Sequence, residues 1–240
     1  MDISKITNGM RNVLPLKSCG AVIVAAGNAS RMKGIDKVMA ELEGEPMIIR
    51  TVRAFQEAPA ICEIVIVTRP DLIQPITQLC QGFDKVTQVV AGGSSRQASV
   101  NLGLAALSDQ CKMAAIQDGA RPLISQAVID RTVRAAHTYS AAAPAIPVKD
   151  TIKVVKGGIV DHTPDRATLM AIQTPQIFDI DLLRGALQKA EEEDWAVTDD
   201  CSAVELLGMS VKIVEGDERN IKVTTPLDLA IAKLLLEEEK

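Results

Sequence analysis

A run of small residues, Ala25-Ala26-Gly27-Asn28-Ala29-Ser30, is followed at once by a group of cations, Arg31, Lys33 and Lys37. Small side chains let backbone N–H groups approach an anion closely, and the cations that follow can neutralise it, so the segment suits a phosphate cradle. It is not a dinucleotide fingerprint, because Ala29 and Met32 stand where G-x-G-x-x-G needs glycine, and it is not a Walker loop, because G-K-[ST] is absent. Taken alone, the pattern equally suits a small-residue turn with solvated basic side chains. A second segment, Asp118-Gly119-Ala120-Arg121-Pro122, puts a carboxylate and a cation at the end of an apolar run. Such a pair is commonly a structural salt bridge; beside a phosphate loop it also suits a carboxylate that helps hold Mg2+, with most of the metal's ligands coming from phosphate oxygens.

The rest of the composition narrows the chemistry. The only histidines are His137 and His162, and the five cysteines (Cys19, Cys62, Cys80, Cys111 and Cys201) are scattered without a Cys-x-x-Cys pair. A His-rich metal site or a histidine relay has little material, and the thiols read as reduced and mostly buried, in a cytoplasmic protein. Of 240 residues 47% are hydrophobic, yet only one Trp, one Tyr and three Phe are present, so the core must be aliphatic, and neither disorder nor base stacking on aromatic platforms fits. The net charge of -5 argues against nucleic acid or an anionic membrane as partner. No apolar run approaches the ~18 residues of a bilayer span.

These groups need a scaffold, and the chain alternates short apolar runs with helical-period segments, as a mostly parallel sheet with crossover helices does. Strands are expected at residues 19–25, 64–67, 86–90 and 113–116. Helices are expected from Pro46, as the first helical residue (with Ile48, Val52 and Phe55 inward), around residues 73–79 and 95–107, and after Ser125. Pro144 and Pro147 should bracket a short strand. Residues 152–160 read as a hairpin turning at Gly157-Gly158, part of an inserted β-arm at about residues 148–172. Helices near residues 181–193 and 202–207, a strand at 211–214, and a last helix opened by the Thr225-Pro226-Leu227-Asp228 capping box complete an α/β fold. Residues 1–18 read as an N-terminal extension and 19–240 as a single domain. In such sheets ligands bind beyond the carboxyl ends of the strands, where the candidate loops fall.

The first loop resembles the A-A-G-x-G-x-R-M...K signature of nucleotidylyltransferases, with Ala29 in place of the second glycine and Asp36 where proline is common. Further segments follow in order: Ala91-Gly92-Gly93-Ser94-Ser95-Arg96-Gln97-Ala98-Ser99, Asp118-Gly119-Ala120-Arg121-Pro122, Pro147-Val148-Lys149-Asp150-Thr151, Asp165-Arg166, Gln173-Thr174-Pro175-Gln176, Thr198-Asp199-Asp200 and Asn220-Ile221-Lys222-Val223-Thr224. Collinear from about Gly20 to the C-terminal helix, the set resembles the 2-C-methyl-D-erythritol 4-phosphate cytidylyltransferases.

The resemblance implies a Rossmann-like, mostly parallel sheet of the nucleotide-diphospho-sugar transferase type, working on CTP and a small polyol phosphate with Mg2+ or another divalent cation. It implies Arg31 and Lys37 as catalytic residues that stabilise charge at the α-phosphate. Ala25, Ala26, Gly27, Asn28, Ala29, Gly93, Ser94, Ser99 and Asp118 would hold the nucleotide, with Asp118 also on the metal. Thr151, Arg121, Arg166, Thr174, Thr198 and Lys222 would hold methylerythritol phosphate, with the arm contributed across a homodimer. A cytidylyltransferase for another polyol phosphate, such as ribitol 5-phosphate, shares similar segments. A regulatory protein that binds nucleotide without turnover is a further alternative, disfavoured by the retention of Arg31, Lys37, Asp118, Arg166 and Lys222 together.

Overall fold

In the computed structural model, residues 18–27 and 38–238 are described. The first apolar run forms β1 (Cys19–Ala25). Ala21, Ile23 and Ala25 pack with Ile48, Val52 and Phe55 on one face, while Val22 packs with Val100 and Leu104 on the other. A strand covered on both faces needs no polar alternation, which is why it reads as one continuous run.

A short pair, β2 (Glu41–Leu42) and β3 (Glu45–Pro46), leads into α1 (Met47–Glu57). Pro46 caps this helix instead of beginning it, because its pairing with Glu41 holds it extended. The alternation continues through β4 (Ile61–Thr68), α2 (Ile73–Leu79), β5 (Val86–Ala91), α3 (Arg96–Ala106), β6 (Met113–Asp118), α4 (Gln126–Tyr139) and β7 (Ala141–Pro147). The arm follows as β8 (Val154–Lys156) and β9 (Ile159–His162), joined through Gly157 and Gly158 at φ 57° and 80°, the positive values a tight hairpin turn demands. Then come β10 (Met170–Ile172), β11 (Gln176–Asp179), α5 (Ile180–Glu192), α6 (Asp200–Leu206), β12 (Lys212–Glu215) and α7 (Pro226–Glu237).

The central sheet runs β10-β7-β11-β6-β1-β4-β5, with β12 against the free side of β7. Its pairings are parallel from β6 through β5 and between β12 and β7, while β10 and β11 run against their neighbours. Helices α1, α2 and α4 cover one face and α3, α5 and α6 the other. This is a mostly parallel sheet flanked by helices, of the nucleotide-diphospho-sugar transferase type.

Two local expectations are revised. Pro144 lies within β7, and Pro147 ends it. The antiparallel partner of β7 changes there from β11, at Ala141 and Ala142, to β10, at residues 145–147, so a residue with no N–H falls in a break of the ladder. The strands β10 and β11 were not anticipated. At three and four residues they are too short to declare a period, and their pairing with β7 and β6 is a tertiary choice.

The last helix confirms its capping box: the Thr225 hydroxyl accepts from Asp228 N, while the Asp228 carboxylate accepts from Thr225 N at 2.8 Å. Ala232 and Leu236 of α7 then pack on Leu42, Met47, Ala120 and Val223, a small apolar cluster beside the carboxyl edge of the sheet. That packing ties residues 220–223 to the loop after β6.

Candidate active site

Four parallel strands, β1, β4, β5 and β6, end at a cavity of about 530 Å³. Ala25, Ala26 and Gly27 line it from β1, Thr68 from β4, Gly92, Gly93 and Ser94 from the loop after β5, and Asp118 from β6; Arg96, Ser99 and Lys222 complete the walls.

The loop after β5 is pinned by short bonds. Gly92 N donates to Thr68 O at 2.7 Å, Gly93 N donates to the Ser99 hydroxyl at 3.1 Å, and that hydroxyl donates to Ser95 O at 2.8 Å. Ser95 caps α3 by accepting from Ala98 N at 3.0 Å, so the positive end of this helix lies at the cavity wall. Gly92 is also where the first and third loops touch. A Cβ there would lie 2.3 Å from the Ala26 Cβ and 2.9 Å from the Ser99 Oγ, so only glycine fits.

Asp118 sits at the end of β6 among three cations. Its Oδ2 lies 2.7 Å from Lys222 Nζ and 3.8 Å from Arg121 Nε, and its Oδ1 lies 3.7 Å from Arg96 Nε. Burial alone would raise the pKa of this carboxyl, but the charges of Lys222, Arg96 and Arg121 outweigh it and hold the group below its ordinary value. Asp118 is therefore a buried carboxylate, ionised at neutral pH.

Lys222 reaches it because its segment is laced down on both sides. Val223 N donates to Ala120 O, Arg121 Nη1 to Asn220 O at 2.6 Å, Asn220 Nδ2 to Thr174 O at 2.9 Å, and Gln173 Nε2 to Asp217 O at 2.7 Å. Arg96, the first residue of α3, places its guanidinium between two carboxylates, with Nη2 2.8 Å from Asp200 Oδ2. Burial pushes the Asp200 carboxyl up, while Arg96 draws it toward the charged form.

The structure thus brings Ala25, Ala26, Gly27, Gly93, Ser94, Ser99, Asp118 and Lys222 to one cavity. Asn28, Ala29, Arg31 and Lys37 lie outside the described residues. Arg121 and Thr174 are buried next to Asp118 without lining the cavity; Thr174 Oγ1 accepts from Asp118 N at 3.1 Å. Thr151, Arg166 and Thr198 lie away from the cavity within the single chain, all exposed. Arg166 donates to Lys149 O, and Thr198 N donates to the Ser202 hydroxyl.

Sequence reasoning passed over Thr68, whose buried hydroxyl has no hydrogen-bond partner among the described residues although its backbone ends β4 at the cavity. Its place at a strand's carboxyl end was the available signal. Asp200 stood only as the last residue of the Thr198-Asp199-Asp200 segment, with nothing local to reveal its partner 104 positions away.

The donor set bears on a metal. Among the described residues no group of three or more His, Cys, Asp and Glu side chains could cage an ion. Mg2+, however, usually takes one or two carboxylates, keeps several waters and completes its shell with substrate phosphates, and the ionised Asp118 at the cavity wall fits that use.

A parallel sheet ending in a cation-rimmed cavity, with a glycine loop and a helix N-terminus facing it, suits a phosphate-bearing ligand, and the proteins this chain matches are nucleotidyltransferases. The family model for 2-C-methyl-D-erythritol 4-phosphate cytidylyltransferase matches residues 19–238. A cytidylyltransferase of that name from Caldanaerobacter subterraneus subsp. tengcongensis is 44% identical over 225 residues, covering 90% of this chain and 97% of its own. One from Geobacillus kaustophilus is 43% identical over 219 residues, covering 90% and 96%. Among solved structures, 4-diphosphocytidyl-2C-methyl-D-erythritol synthase from Anaerococcus prevotii superposes with a TM-score of 0.84 at 32% identity, covering 92% of this chain and 96% of its own. The 2-C-methyl-D-erythritol 4-phosphate cytidylyltransferase of Thermus thermophilus gives 0.77 at 30%, covering 92% and 99%. The chain belongs to the 2-C-methyl-D-erythritol 4-phosphate cytidylyltransferase family.

Proposed function

We propose that the cavity binds CTP and that the enzyme transfers its CMP to 2-C-methyl-D-erythritol 4-phosphate, giving 4-diphosphocytidyl-2-C-methyl-D-erythritol and pyrophosphate, a step toward isoprenoid precursors by the non-mevalonate route. The observation that carries the site assignment is the convergence of Asp118, Arg96 and Lys222, from distant segments, on one cavity at the carboxyl edge of the sheet.

The chemistry asks little of a base. A phosphate monoester has its second pKa near 6, so the attacking oxygen arrives largely deprotonated. Among the described residues no histidine lines the cavity. The work is to bring two anions into line and to neutralise charge spreading over the α-phosphate while the bond from it to the β-phosphate breaks. Lys222 holds the incoming monoester phosphate. The Gly92-Gly93 backbone and Ser99 read the cytosine edge without any aromatic ring. Arg31 and Lys37, carried on residues 28–37, neutralise the α-phosphate. Mg2+, held by the nucleotide phosphates and Asp118, supplies further neutralisation when bound.

Thr151, Arg166 and Thr198 complete the polyol phosphate site in a homodimer. The arm supports this role, because Val155, Ile159 and Val160 are exposed on it and no core of its own covers them. Sedimentation showing only the single chain would remove the arm from the site. Five free thiols, four of them buried, suit the cytoplasm, and no helix among the described residues is long and apolar enough to cross a membrane.

The test is pyrophosphate release with Mg2+, CTP and methylerythritol phosphate, against UTP and ribitol 5-phosphate controls. Release with the cognate pair alone is expected. Release only with ribitol 5-phosphate would overturn the substrate assignment, and tight CTP binding without release would overturn the activity.

A further inference from the structure

A fully buried carboxylate that contacts no proposed substrate stands behind this site. Asp200 is 1% exposed and is the first residue of α6. Its backbone is fixed from two sides. Asp200 N and Cys201 N both donate to Gln176 Oε1, at 3.0 and 3.1 Å, while Gln176 Nε2 donates to Asp199 Oδ2 at 2.7 Å, and Asp199 is itself locked in a capping box with Ser202. The carboxylate therefore behaves as a rigid post, built on β11 and α6, that cannot follow its partner.

That partner is Arg96. Its Nη2 lies 2.8 Å from Asp200, its Nε lies 3.7 Å from Asp118, and its side chain remains 31% exposed, at the cavity wall. A buried ion pair is weak as a stabilising device, since apolar residues of similar volume commonly serve a fold as well. Here one member is sealed and the other opens onto the site, an asymmetry that suits aiming a cation more than holding two elements together. Without the post, the guanidinium would be free to close the 3.7 Å gap to Asp118, which Lys222 and Arg121 already neutralise. The cavity would then lose a cation directed at the triphosphate.

We propose that Asp200 is a positioning residue for nucleotide binding: it anchors Arg96 so that the guanidinium faces CTP instead of collapsing onto Asp118. This rests on the CTP assignment above.

The test is steady-state kinetics of Asp200→Asn, varying CTP and methylerythritol phosphate separately, with thermal unfolding as the check on folding. The KM for CTP is expected to rise roughly tenfold, with the KM for the polyol phosphate little changed. In an Arg96→Ala background the same Asp200→Asn change should move the CTP KM by less than about twofold, because the residue acts through Arg96. A purely structural Asp200 would lower the melting temperature and leave both KM values where they were. An unmoved CTP KM in folded Asp200→Asn overturns the proposal, as does an undiminished effect in the Arg96→Ala background. If Asp200→Asn does not fold, Asp200→Glu, which keeps the charge but shifts it by a methylene, takes its place under the same criteria. Failure of the unmodified enzyme to use CTP would overturn the functional reading and this one together, whereas normal turnover with an unmoved CTP KM overturns only this one.

Discussion

The two ends of the central sheet each bury a carboxylate, and they satisfy it in opposite ways. At the carboxyl end Asp118, 8% exposed, is held by Lys222, Arg96 and Arg121. At the amino end Glu63, 7% exposed, accepts among the described residues from neutral donors only: the Ser108 N–H and hydroxyl, Thr87 Oγ1 at 2.9 Å and the Cys111 thiol at 3.5 Å. In both cases burial favours the neutral acid and the partners reverse that, leaving the pKa below its ordinary value. The difference lies in what the partners can do next. Hydroxyls and a backbone N–H beside Glu63 are held by local structure and have nowhere to go. Of the cations around Asp118, Lys222 and Arg96 reach the wall of an open cavity, where an arriving phosphate can meet them. Burial and depressed pKa alone therefore do not mark the working end of the sheet; counter-charge that opens onto a cavity does.

The largest test of that contrast lies on residues 28–37. Lys37→Ala should lower kcat by roughly 100-fold or more, the scale of losing one preorganised charge-stabilising group; near-normal kcat in folded protein would remove Lys37 from that role. Next, Lys222→Ala should raise the KM for methylerythritol phosphate by about tenfold or more, in keeping with loss of a bond to a charged group. Its melting temperature should move little, since Asp118 keeps Arg96 and Arg121.

At the other end the expectation reverses. Glu63→Leu strands the donors of Ser108 and Thr87 and should cost roughly 1–3 kcal/mol of stability, read from the urea midpoint, with both KM values unchanged. A shift in the CTP KM would mean the two ends are coupled and would break the comparison.

Acid titration probes both ends at once. A carboxylate with a depressed folded pKa contributes stability fully above its unfolded pKa, about 3.9 for Asp and 4.3 for Glu, and loses it as pH falls through the lower folded value. Stability from both groups should therefore be flat above about pH 5 and decline below about 4, and Asp118→Asn should remove only its own share of that decline. The smallest effect expected is that of His162→Gln. His162 sits exposed on the arm with Asp161 as its neighbour, and kcat and both KM values should stay within about twofold of the unmodified enzyme. Loss of activity without unfolding or weakened substrate binding would contradict a base-free mechanism.

Much of this scaffold was legible in the residues. The continuous apolar run of β1, the Gly157-Gly158 turn and the Thr225 capping box are local signals, and each element formed where its signal stood. The strands β10 and β11 were not legible, because two short segments gain strand character only by pairing with β7 and β6. At the site, strand ends and the first small-residue loop pointed to Ala25 and Asp118, while Gly93 rested on the family resemblance. The partnership of Arg96 with Asp200 left no local trace, since the two stand 104 positions apart.

The contact of Gly92 with Ala26 has a consequence for any attempt to reshape the loop after β5. With 2.3 Å available to a new Cβ, position 92 admits no variation, and Gly93 is nearly as closed, with Ala98 Cβ at 2.5 Å. Variant libraries spent on either glycine would return misassembled loops. On the proposed reading of this wall, Ser94, exposed on it, is the position at which directed evolution would test nucleobase preference.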